Sequence, residues 1–261
     1  MLDKALEWKK SNIPFMLVSI TEIKGETPRE PGTSMIININ GEQEGTIGGG
    51  TLELLAREAS MEFLAKNTSG KKKFDLGFGK GTGTDMICGG YVECFFLYFG
   101  SSPILVIVGG GHVGQAVHRQ ADILGYSVII IDDRDITENN LAVKPLKHIK
   151  ENWQDFLMND PIIDESYVVI ATRGHKLDEE ALKIILKRNP LYIGMIGSNK
   201  KVTDTKKNLM NIGYKEEEME KIFAPIGLDL GGGSPEEIAL SILAEIQVVR
   251  NRKTGKHLKI K

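Results

Sequence analysis

Two cysteines in 261 residues, Cys88 and Cys94, leave no disulfide framework, and their spacing matches no zinc ribbon or finger. The five histidines all stand at or after His112, which excludes a histidine-rich metal site from the first hundred residues. No apolar run approaches the roughly 20 residues of a membrane span. The opening Met1-Leu-Asp-Lys-Ala-Leu-Glu-Trp8 lacks the charged-then-apolar order of a signal peptide, so a cytoplasmic location without membrane association is expected. Neither sign of charge dominates: 33 Lys plus Arg face 35 Asp plus Glu, which leaves no global field to recruit nucleic acid. Also missing are a Ser-His-Asp order, a Cys-His base pair and a Tyr-x-x-x-Lys dyad, and no residue is assigned a catalytic role. His175 reads as a general base or merely a loop histidine.

Glycine, in contrast, is plentiful, with 29 in the chain. Its most informative use is Ile104-Leu-Val-Ile-Val-Gly-Gly-Gly-His-Val-Gly114, where an apolar strand meets Gly109-x-Gly111-x-x-Gly114 at the start of an amphipathic helix over 112–124. A second apolar strand over 127–131 ends at Asp132, placed to accept hydrogen bonds from a ribose diol. This is the order of a dinucleotide-binding turn: the glycines tighten it, admit a pyrophosphate and let the helix pack on the sheet, while helix-start N–H groups face the anion. His112 would sit near the phosphates. The alternative is a Rossmann-like turn with an empty or repurposed site. Further strands over 166–171 and 191–196 alternate with helices over 178–188 and 199–211, and Ser234, Pro235 and Glu237 form a capping box on a last helix reaching about residue 250. We expect an α/β fold here, a Rossmann-like doubly wound parallel sheet, preceded by a smaller N-terminal α+β domain. The breaker cluster Gly100-Ser-Ser-Pro103 sets the boundary, giving domains 1–100 and 101–261.

Three further glycine clusters lie in the first domain. In Gly25-Glu-Thr-Pro-Arg-Glu-Pro-Gly32, the prolines stiffen a loop bearing Arg29, which suits either an anion or a structural ion pair. Gly48, Gly49 and Gly50 precede a helix and present N–H groups to an anion or allow close packing. Six glycines crowd positions 77–90 around Cys88, which Gly89 and Gly90 follow, so this thiol is expected to be accessible; Cys94, in the strand over 92–98, reads as buried filler.

These segments, with Tyr192-Ile-Gly-Met-Ile-Gly-Ser-Asn-Lys-Lys-Val202 and Ala224-Pro-Ile-Gly-Leu-Asp-Leu-Gly-Gly-Gly-Ser-Pro-Glu-Glu-Ile238, resemble in order the XdhC/CoxI family, accessory proteins for xanthine dehydrogenase and related molybdenum hydroxylases. The resemblance covers nearly the whole chain. It implies an XdhC/CoxI-type domain followed by a Rossmann-like one. It also implies a chaperone that binds molybdenum cofactor (molybdopterin), protects its sulfurated form and delivers it to a hydroxylase client, with a cysteine desulfurase-type sulfurtransferase as a further partner. A homodimer is the default assembly. Cofactor-binding candidates are then Arg29, Gly48, Gly49, Gly50, Cys88, Gly89, Gly90, Gly109, Gly111, His112, Gly114 and Asp132. Cys88 is the candidate metal ligand, since soft thiolate suits such a centre. Some relatives carry cysteine where this chain has Thr51. Two readings compete: an NAD(P)-dependent oxidoreductase, which explains the second domain but leaves the Arg29 and Cys88 loops unused, and a dinucleotide-binding assembly scaffold without cofactor transfer.

Overall fold

The computed structural model describes residues 1–25, 29–75, 90–134 and 144–259. The chain divides into two compact units, Met1–Ser101 and Ser102–Lys261.

The first unit runs α1 (Leu2–Lys10), β1 (Phe15–Lys24), β2 (Ser34–Asn38), β3 (Gln43–Gly45), α2 (Gly50–Lys66), β4 (Gly70–Asp75) and β5 (Tyr91–Phe99). Its five strands form an antiparallel sheet in the order β3-β2-β1-β5-β4. Alternation along β1 decides which helix covers which face. Met16, Val18 and Ile20 join Leu52, Ala56, Ala59 and Leu64 of α2 in one core, whereas Phe15 packs with Trp8 of α1 and stacks on Phe99 at 4.8 Å between ring centroids. Cys94 faces the α2 core, fully buried, and burial pushes its thiol up to about 11, in keeping with an inert filler.

The second unit runs β6 (Ile104–Val108), α3 (His112–Ile123), β7 (Ser127–Ile131), β8 (Lys147–Ile149), α4 (Trp153–Asn159), a 3-10 turn Pro161–Glu165 and β9 (Ser166–Ile170). It continues through α5 (His175–Ile185), β10 (Tyr192–Met195), α6 (Asn199–Asn211), α7 (Glu216–Met219), β11 (Ile222–Phe223) and α8 (Pro235–Arg250). The six strands are parallel, in the order β11-β10-β9-β6-β7-β8, so β6 sits at the point where the winding reverses. A sheet covered on both faces needs strands that are apolar throughout, and every residue of β6 and β9 is buried. Val106, Val168 and Ile170 point to the α5 and α6 side, while Leu105, Ile107 and Val169 meet Ala116 of α3 and Ile242 of α8. This is the doubly wound α/β sheet expected from the sequence. The Ser234, Pro235 and Glu237 box caps α8 as read. The helix expected from residue 178 instead begins at His175, because the Asp178 carboxylate turns back to the Thr172 amide rather than capping a helix at its own position.

Candidate functional site

The switch point at the carboxyl ends of β6, β7 and β9 opens into a cleft of about 290 Å³, lined among others by Gly109, Gly111, Asp132, Arg134, Thr172 and Arg173. The glycines around it have different reasons to be glycine. Gly109 has φ +113, and a Cβ there would lie 2.4 Å from the Ala171 carbonyl oxygen, so a side chain is barred by both backbone and neighbour. At Gly114 a Cβ would sit 2.0 Å from the Gly109 oxygen, which is the close approach of helix to strand that the spacing predicts. Gly111 has ordinary extended backbone, φ −70 and ψ −173, and nothing lies within 4 Å of the position its Cβ would take. Its missing side chain leaves space at the cleft, and as the N-cap of α3 it offers no side-chain cap to the helix-start N–H groups.

Asp132 stands at the end of β7 with its side chain only 6% exposed. Its Oδ2 accepts from the Gly110 amide and from Arg134 Nη2, each at 2.7 Å; its Oδ1 accepts from Arg134 Nε at 2.7 Å and the Arg134 amide at 3.1 Å. Burial pushes this carboxyl up, but the bonds from Arg134 and Gly110 outweigh it and hold the group below the usual carboxylate range. His148 Nε2 lies 3.0 Å from the Asp132 carbonyl oxygen. The opposite wall is fixed by Asp178, whose carboxylate is fully buried, accepts from the Thr172 hydroxyl at 2.6 Å, and forms an ion pair with Lys201 of α6. This braces the loop that carries Arg173. His112 is exposed as the first residue of α3.

In the first unit the structure brings Arg29 to the glycine turn. A Cβ on Gly48 would lie 3.2 Å from Arg29 Cγ, and Gly48, Gly49 and Gly50 all have positive φ. The turn is closed from within: Glu53 accepts from the amides of Ile47 and Gly49 at 3.3 and 3.1 Å, from Gln43 Nε2 at 2.8 Å, and from the Thr46 hydroxyl. Burial raises the Glu53 pKa, and these bonds more than reverse it, leaving the group ionised below its ordinary range. Gly90 packs against β1, where a Cβ would lie 1.9 Å from the Lys24 carbonyl oxygen; the register pairs Lys24 and Asp75 with Tyr91. Cys88 and Gly89 lie outside the described residues. Among the described residues, no group of three or more His, Cys, Asp and Glu is placed to hold a metal ion.

Four participants escape a reading of motifs. Arg134 follows Asp132 in an Asp-Asp-Arg run that reads as solvated charge, and its signal is only its closeness to the acid. Arg173 stands just past the end of a strand, where a lone loop arginine looks like ordinary surface charge. Glu53 and Asp178 each sit one turn inside a helix and fold back on the preceding loop, the geometry by which first-turn carboxylates satisfy helix-start amides.

A family model described as the XdhC and CoxI family matches residues 8–75, and one described as the XdhC Rossmann domain matches residues 105–246. The uncharacterized protein YqeB of Escherichia coli (strain K12) is 31% identical over 258 residues, which cover 97% of this chain and 46% of that protein. A protein of Bacillus subtilis (strain 168) described as a probable xanthine dehydrogenase subunit is 28% identical over 151 residues, 58% of this chain and 44% of that protein. The molybdenum cofactor insertion chaperone PaoD of Escherichia coli (strain K12) is 23% identical over 282 residues, 94% of this chain and 86% of that protein. The chain thus spans less than half the length of the first two relatives and most of the third.

Proposed function

The chain belongs to the XdhC and CoxI family, and from that premise we propose that it is an accessory protein that binds molybdenum cofactor and delivers its sulfurated form to a hydroxylase of the xanthine dehydrogenase type. The observation that carries this reading is the match to the insertion chaperone PaoD, which extends over 94% of this chain and 86% of that protein, so that both units here have a counterpart in it. The cargo presents an anionic phosphate, a pterin edge and a sulfur-ligated metal. Arg29, whose Cγ lies beside Gly48, supplies a guanidinium in the first unit. Gly90, two residues after Cys88 in the chain, packs against Lys24 at the end of β1, the sheet end from which the chain runs on toward Arg29. The Cys88 thiolate then holds or shields the metal reversibly, as a carrier that must release its cargo requires. A cysteine desulfurase-type partner supplies the sulfur, the protein works as a homodimer in the cytoplasm, and the cleft beside Gly111 holds a nucleotide-like or pterin-phosphate ligand.

Native mass spectrometry on protein purified from molybdate-fed cells tests the reading. Wild-type protein should carry molybdenum, Cys88→Ser should lose it while melting normally, and Cys94→Ser should keep it. Wild-type protein that never retains molybdenum and never reactivates a molybdenum-free hydroxylase would sink the accessory role. If Cys88→Ser protein loads normally, the thiolate mechanism alone is lost. The observation favouring a dinucleotide reading is the open, uncapped turn at Gly111; hydride transfer to NAD(P) by the purified protein would establish the oxidoreductase instead.

A further inference from the structure

On the reading that the second-unit cleft holds a ligand, the pairing of Asp132 with Arg134 decides what kind. In a cleft of this type a ribose diol is held by donating to the acid at the end of the second strand. Here that acid has no acceptor capacity left. A carboxylate offers about four lone-pair positions, and Asp132 already receives the Gly110 amide, the Arg134 amide, Nε and Nη2. Among the described residues, the guanidinium that closes it is only half committed. Of its five N–H groups, those used on Asp132 lie along one edge of a rigid plane, and the remaining ones on Nη1 and Nη2 lie along the other edges. The Arg134 side chain is 36% exposed and lines the cleft. Arg173 lines the same cleft and makes no ion pair among the described residues, while Asp133, also lining it, is exposed to water, which weakens its opposition to an anion.

We infer that the cleft takes a phosphate monoester, seated on the outward edge of the Arg134 guanidinium with Arg173 as second cation, and discriminates against a ligand that offers only a ribose diol at that end. Asp132 acts here as a positioning residue: it holds the guanidinium plane so that a bidentate fork meets the phosphate. Two sources carry this chemistry, the 2′-phosphate of NADP and the terminal phosphate of molybdenum cofactor itself.

Titration calorimetry on the full chain separates the possibilities, with NADP+, NAD+ and molybdenum cofactor freed anaerobically from a molybdoenzyme as probes. A charge-assisted fork corresponds to a preference of roughly ten- to a hundredfold for NADP+ over NAD+. Arg134→Ala should erase that preference and raise NAD+ affinity, because Asp132 regains lone pairs. Arg134→Lys, which keeps a cation beside the acid and so guards against misfolding, should weaken the monoester ligand alone. Binding of the cofactor but not NADP+, with the same Arg134→Lys loss, assigns the phosphate to the cofactor and supports the inference. Equal affinity for NADP+ and NAD+, an unchanged ratio in Arg134→Ala, or no binding of any probe overturns it. Protein that retains molybdenum but binds neither NADP+ nor the freed cofactor in an Arg134-dependent way sinks this inference alone, whereas an Arg134-dependent NADP+ preference in protein that never retains molybdenum sinks only the accessory role.

Discussion

Two glycine turns open two helices in this protein and are finished in opposite ways. Before α2, Glu53 reaches back from the helix's own first turn and takes the amides of Ile47 and Gly49, so the concavity made by Gly48, Gly49 and Gly50 already contains an anion. Before α3 the helix supplies no side-chain cap. Its nearest acid comes from the neighbouring strand, reaches the Gly110 amide, and is itself neutralised by Arg134, while Gly111 borders an open cleft. Glycine density therefore reports backbone geometry, and the capacity for an external anion depends on which amides an internal carboxylate already holds. In the first unit a phosphate would have to displace Glu53 or bind through Arg29; in the second it would meet helix-start N–H groups and the two arginines, Arg134 and Arg173, that line the cleft.

The largest expected effect contrasts two glycines of the second turn. Gly109→Ala forces a Cβ against the Ala171 backbone at a φ that L residues rarely adopt, and should cost about 4 kcal/mol from overpacking plus backbone strain. Gly111→Ala places its methyl in open space at ordinary φ and should change stability by less than about 0.5 kcal/mol. Urea melts read both. A Gly111→Ala variant as unstable as Gly109→Ala would mean that the space beside Gly111 is needed for folding rather than for a ligand.

Next in size is Glu53→Ala, which leaves two amides, an amide side chain and a hydroxyl without their acceptor and should cost about 2 kcal/mol. The pH dependence has a definite sign. Because the folded Glu53 pKa lies below its ordinary 4.5, its contribution is present above that pH and is lost as pH falls through the lower, folded value. Glu53→Gln should accordingly flatten the acid limb of the stability curve below about pH 4.5 relative to wild type. An unchanged acid limb would show that the internal carboxylate is incidental to the turn, and the contrast between the two turns would collapse.

What the sequence made legible follows the same physics. The strands of both sheet interiors were readable because burial on one or both faces writes an apolar pattern, as in Ile104–Val108 and Ser166–Ile170. The strands missed, Gln43–Gly45, Gly70–Asp75, Lys147–Ile149 and Ile222–Phe223, are all sheet edges. Edges are short or polar: Gly70–Asp75 buries only Phe74, and its three lysines give no alternation to read. At the site, Gly109, Gly114 and Asp132 were legible because backbone approach and strand-end position constrain residue type. Arg134, Arg173 and the Asp178–Lys201 brace were not, since charged residues in loops and first turns look alike until the fold shows what they face.

The smallest effect on stability is expected at Arg29, and it bears most directly on whether the first turn has any part in binding. Arg29 is exposed, so replacement by lysine keeps the charge and should move the melting midpoint by an amount worth less than about 0.5 kcal/mol. With the turn amides of Ile47 and Gly49 engaged by Glu53, Arg29, whose Cγ lies beside Gly48, is the cationic side chain at this turn whose part in holding a phosphate can be tested. A lysine cannot reproduce a planar bidentate fork, so Arg29→Lys should lower cofactor retention roughly tenfold if the first unit clamps the cargo. Retention is measured as molybdenum per chain by native mass spectrometry, beside the melt. A loss of retention with unchanged melting places an anion clamp on a turn that is otherwise self-sufficient. Unchanged retention with unchanged melting returns Arg29 to ordinary surface charge and leaves the second-unit cleft, with Gly111 and Arg134, as the candidate anion site among the described residues.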